Sequence, residues 1–157
     1  MSAPRKALGL GAISGLRSLS GPALVSRAAA KGNVSLEGTA LSFLGSPRLS
    51  KVLLVLALGE ILVGDKLPMT PSRTALPPLL GRAASGGLVG AALFASDGRR
   101  ATSGAALGSS AAVAAAFAGE NLRALIGEKI GLPDAAVALA EDAVVLLGGL
   151  QLLKDVR

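Results

Sequence analysis

The chain has 157 residues, with sixteen Lys and Arg against ten Asp and Glu for a net charge of +6, and only 17% of positions carry charge. Hydrophobic residues make up 51% and the mean hydropathy is +0.60. There is no His, Cys, Trp or Tyr, which excludes Ser-His-Asp and Cys-His nucleophile systems, disulfides and zinc sites built on imidazole or thiolate. No cofactor and no metal is therefore expected, and sparse charge without aromatic stacking partners argues against nucleic acid as a partner. The length allows one domain, taken as residues 1–157.

Residues 1–31 hold Arg5, Lys6, Arg17, Arg27 and Lys31, and the first acid of the chain is Glu37. That composition suits a targeting segment with Ala28-Ala29-Ala30 near a cleavage site, but Arg17 would interrupt its apolar stretch. The preferred reading is a retained membrane helix from about Ala7 to Ala30, bent or broken near Ser20-Gly21-Pro22, where proline removes a backbone donor. Residues 32–48 read as a loop with one short turn. A second helix is predicted from Pro47, behind Ser46 as N-cap, to about Asp65. Four prolines make 66–82 a structured turn, with Pro77-Pro78 opening a third helix that ends near Ser96. After the polar turn Asp97–Arg100, a fourth helix covers about Ala101–Ile130. Beyond Gly131-Leu132-Pro133-Asp134, a fifth runs to about Asp155.

These segments are apolar on all sides rather than along one stripe. Ala101–Gly119 carries no charge, and Ala135–Leu153 is apolar except for Glu141, Asp142 and Gln151. Helices of that kind belong in a large core or in a bilayer, and this chain is too short for the former. A span needs about 20 residues. The expected fold is therefore an all-α polytopic helical membrane bundle of four to five Gly/Ala-rich helices. The competing reading is a soluble Ala-rich bundle, since Ala favours helices anywhere and no aromatic belt is present. Fifteen of the nineteen residues from Ala101 to Gly119 are Ala, Gly or Ser, so the fourth helix is expected at the centre. Gly86/Gly90 and Gly104/Gly108 are GxxxG pairs suited to close helix contact, within the chain or in a homo-oligomer. A weak internal repeat is a further option, because Ala57-Leu58-Gly59-Glu60 echoes Ala138-Leu139-Ala140-Glu141.

An ionised group at the bilayer centre costs about 2.5–3.5 kcal/mol, so embedded charges face the bundle interior, water or a partner. Arg17, Glu60, Glu141 and Asp142 are the embedded candidates, with Arg17 expected against Glu60 or Glu141. Asp65, Lys66 and Arg73 extend the candidate site into the loop after the second helix, where charge, proline and hydroxyl alternate. Glu120 and Arg123 read as an i,i+3 surface pair, Asp134 as a helix-opening acid, and Arg99, Arg100, Lys154 and Arg157 as interfacial anchors.

The blocks GLGAISGLRSLSGPAL at 9–24, GEILVGDKLPMTPSRT at 59–74 and LPDAAVALAEDAVVLLGG at 132–149 resemble, in that order, the domain-of-unknown-function family numbered 4126. The resemblance implies a small bacterial polytopic membrane protein and carries no residue role. Three functions remain open. One is a transporter or channel for a cation, proton or small solute using the intramembrane carboxylates. Another is a non-catalytic membrane scaffold or accessory subunit whose charges fix helix register. The third is an intramembrane acid/base enzyme. A multi-pass protein of the cell membrane, with the lipid bilayer as partner, is expected. Basic residues fall in every connection, so orientation stays open.

Overall fold

A computed structural model describes residues 2–63, 72 and 74–154. Among these residues it is all-helical, with six α-helices and no strand: α1 (Ala3–Leu16), α2 (Ser20–Ala30), α3 (Pro47–Val63), α4 (Leu76–Ser96), α5 (Ala101–Ile130) and α6 (Asp134–Lys154). A 3-10 turn, Ser42–Gly45, lies in the connection before α3. The count exceeds four to five because the first expected helix is two.

That division is the main departure from the sequence reading. The break falls at Arg17–Leu19, ahead of Gly21-Pro22, and Arg17 is extended at φ −136 and ψ 107. Pro22 is the third residue of α2, where a backbone donor would have no helical acceptor anyway, so proline starts this helix instead of bending it. The chain also reverses. A Cβ built on Gly21 would meet Ser14 Oγ and the Leu10 carbonyl oxygen, which lie about 10 and 16 Å away along a continuous helix. Gly149 of α6 touches both Ile13 of α1 and Leu24 of α2. The two helices therefore form a hairpin, with its tip at Arg17–Leu19 and its open ends on one side of the molecule.

Among the described residues the hairpin is the most enclosed part. Seven of the fourteen residues of α1 and eight of the eleven of α2 are buried. The expectation that α5 occupies the centre is corrected: α5 buries one stripe, Gly104, Gly108, Ala112, Ala116 and Gly119. Small side chains permit close approach on every face but do not demand it. Paired helix ends, by contrast, must be covered wherever water is absent.

Along its stripe α5 meets two helices. A methyl group on Gly90 would strike the Gly104 carbonyl oxygen, one on Gly104 the Gly90 oxygen, and one on Gly108 the Gly86 oxygen. The two GxxxG pairs thus close on each other between α4 and α5, inside one chain. On the other side of the stripe, Gly11 of α1 abuts Gly108, and Gly15 abuts Ala112. Gly131 ends α5 in the left-handed conformation, φ +68, which glycine adopts without steric cost.

The outward faces of the longer helices carry large apolar side chains. Val55, Leu62, Leu76, Leu139 and Leu147 are exposed, while Arg17 and Asp142 are 2% and 8% exposed. That polarity is the reverse of a water-soluble fold. Helices α4 and α5, and Ala136–Leu153 of α6, are each long and apolar enough to cross a membrane.

Candidate functional site

The hairpin tip gathers charge from three further helices. The carboxyl end of α1 leaves carbonyls without helical partners, and the amino end of α2 leaves amides. Each end is met by a residue of opposite sign. Arg82 of α4 donates from Nε to the Gly15 carbonyl oxygen at 2.9 Å. Glu60 of α3 accepts from the Ser18 amide at 2.7 Å, the Ser18 hydroxyl at 2.7 Å and the Leu19 amide at 2.8 Å. A carboxylate at a helix amino end and a guanidinium at a carboxyl end both complement the helix dipole. Between them, Arg17 Nε donates to Asp142 Oδ1 of α6 at 2.7 Å.

These contacts differ in wetness. Arg17 and Asp142 are both buried, whereas Glu60 is only half-buried. The hydroxyl of Ser20, in the first turn of α2, is buried and has no hydrogen-bond partner among the described residues.

Arg17, Glu60 and Asp142 therefore converge on one tip, as expected of embedded charges, but with different partners. Arg17 was expected against Glu60 or Glu141 and instead pairs with Asp142, the neighbour of Glu141. Successive helical residues point about 100° apart, so exchanging these two acids redirects the contact to another face. Glu141 instead accepts from Arg123 Nη2 of α5 at 2.6 Å. Arg123 thus reaches across to α6, and Glu120 accepts from the Ser72 hydroxyl at 2.7 Å; neither is confined to the i,i+3 surface pairing that the sequence suggests. Glu60 and Glu141, matched in the proposed repeat, hold unlike partners. Asp65, Lys66 and Arg73 lie outside the described residues.

Sequence reasoning missed Ser18 and Arg82. Ser18 carries no distinguishing signal, while Arg82 does: it is the only charged residue in α4, although by sequence it falls at the end of the 66–82 connection. Beside the tip, a 330 Å³ cavity between α5 and α6 is lined by Leu16, Ala115, Leu122, Ile126, Val137 and Glu141. Its wall is apolar apart from that one acid. Among the described residues, no cluster of three or more acids is placed to hold a metal ion.

Fold and site together define a helical protein with three helices able to cross a membrane and a buried hairpin whose tip is held by charge. The chain belongs to the family described as Domain of unknown function (DUF4126), whose model matches residues 6–154. No curated protein and no solved structure matches it.

Proposed function

We propose that the protein is a multi-pass integral protein of the cell membrane that moves a proton, a small cation or a small solute past the tip of the α1–α2 hairpin. The observation that carries this reading is Glu60, a half-buried carboxylate that accepts three hydrogen bonds at the amino end of α2. Non-helical backbone at membrane depth is tolerated where protein buries it or where it lines a hydrated path, and broken helices with opposed ends recur at transport sites. Asp142, level with the tip, is the ninth of the 21 residues of α6, which puts the tip close to the middle of that span. An ionised Glu60 holds the two amides, whereas a protonated or cation-bound one is a weaker acceptor and loosens them. Proton or cation occupancy of Glu60 is thereby coupled to closure of the tip. The buried Ser20 hydroxyl adds a donor and acceptor on the same turn.

The test is flux in liposomes containing the purified protein. The wild type is expected to carry protons or cations, and Glu60→Gln to abolish that flux while still inserting and folding, with only a modest loss of stability. Wild-type protein that is well folded but silent overturns the transport reading. A second reading, a non-catalytic scaffold or accessory subunit, draws on the dry Arg17–Asp142 pair, which fixes helix register without needing a ligand. Silent wild type, with stability lost on breaking that pair, is its signature.

A further inference from the structure

At the open end of the hairpin, away from the tip, the carboxyl end of α2 and the last turns of α6 enclose a 210 Å³ cavity of mixed character. Leu24, Leu150 and Leu153 form its apolar wall, and Arg27, Lys31 and Asn33 are the polar residues on its rim. Arg27 and Lys31 stand one helical turn apart and share a face. Both are exposed, and no acid lines the cavity among the described residues. No hydrogen bond or ion pair ties down either cationic group or the Asn33 side-chain amide among the described residues. The carbonyls that end α2 are meanwhile taken by backbone: Asn33 and Val34 donate to Ala28, Gly32 to Ala29 and Lys31 to Arg27. An incoming anion therefore does not meet free carbonyl oxygens.

We infer that this cavity binds an anionic phospholipid, its phosphate held by Arg27, Lys31 and Asn33 and the start of an acyl chain lying on Leu24, Leu150 and Leu153. Two uncompensated cations and an amide supply charge and donors for a phosphate. A soluble anion would have no use for a wall of three leucines, whereas a lipid needs both halves. The position fits as well, since the apolar span Ala136–Leu153 closes here and the end of such a span lies at the headgroup layer. Basic groups near anionic headgroups add favourable free energy one by one. The inference rests on the membrane reading above but not on transport, so binding and flux fail separately.

The experiment uses detergent-purified full-length protein, with phosphatidylglycerol, phosphatidylcholine or inorganic phosphate added, read by native mass spectrometry and by the unfolding midpoint. Phosphatidylglycerol is expected to bind and raise the midpoint, and phosphatidylcholine to do neither. The double variant Arg27→Gln/Lys31→Gln is expected to weaken phosphatidylglycerol binding at least about tenfold. Arg48→Gln/Lys51→Gln removes two exposed cations from the first turns of α3, outside the cavity, and is expected to leave binding unchanged. Equal loss in both double variants, or equal retention of both lipids, overturns the site. Protection by inorganic phosphate equal to that by the lipid overturns the lipid assignment. Should the first double variant misfold, Leu150→Asp, at an exposed position of the apolar wall, replaces it and is expected to expel the lipid.

Discussion

The hairpin is held on two sides by opposite means. Against α4 and α5 it lies on a glycine seam, where Gly11 and Gly15 meet Gly108 and Ala112 and where Gly86/Gly90 close on Gly104/Gly108. At its tip it is held by charge: Arg82 on one helix end, Glu60 on the other and the Arg17–Asp142 pair between them. The seam works because side chains are missing, and lipid offers no hydrophobic drive that bulkier ones could exploit. The tip works because polar groups are present and matched. A seam of that kind is rigid and passive. A matched set of charges depends on each member, so on the proposed transport reading it is the part that would answer to a proton or an ion.

The largest effect is expected from Asp142→Asn, which takes the Asp142 charge away from the buried Arg17 guanidinium. Breaking such a pair costs about 3–5 kcal/mol. The double variant Arg17→Met/Asp142→Leu should recover much of the lost stability, read from detergent unfolding midpoints. If Asp142→Asn is neutral, the pair does not hold the tip.

Next comes the seam. Gly90→Ala places a methyl against the Gly104 carbonyl oxygen, and overpacking of this kind costs about 1–3 kcal/mol. Gly59→Ala is the same substitution in α3 with open space around the new Cβ. It is expected to gain about 0.5–1 kcal/mol from lower backbone entropy alone. Equal responses at the two glycines would dissolve the distinction between seam and surface.

Glu60→Gln lies between these extremes for stability and above them for function. The amide keeps an acceptor for the α2 amides but loses the charge, so a stability loss of about 1–2 kcal/mol is expected. Flux should disappear entirely. A variant that keeps wild-type flux would move the working carboxylate elsewhere.

The parts of the fold written in repeated small residues were legible. The GxxxG pairs at 86/90 and 104/108 marked sites of close helix contact without saying which helix each would meet, and the Pro47, Pro77-Pro78 and Gly131 signals set helix boundaries to within a few residues. The embedded charges were legible as a set, since Arg17, Glu60 and Asp142 do meet at one place. Their pairing was not, because Glu141 and Asp142 differ by one position and only the docked orientation of α6 chooses between them. The reversal at Arg17–Leu19 was hidden for a related reason. Gly21-Pro22 is the louder signal, and a proline in the first turn of a helix looks, in sequence, like a proline that breaks one. Nothing local announces that the helices on either side fold back together. That follows from long-range contacts with α6 and α5.

The reversal itself is the claim on which the rest depends, and side-specific cysteine labelling tests it most directly, because the native chain contains no cysteine. Single variants Ser2→Cys, Ser35→Cys and Leu132→Cys, all at exposed positions, would be treated with an impermeant maleimide in sealed vesicles. A hairpin puts Ser2 and Ser35 on one side and Leu132 on the other, so the first two should label together and the third in the complementary fraction. Labelling of Ser2 and Ser35 from opposite sides would mean that residues 3–30 cross the membrane as one kinked helix, and the tip described here would not exist.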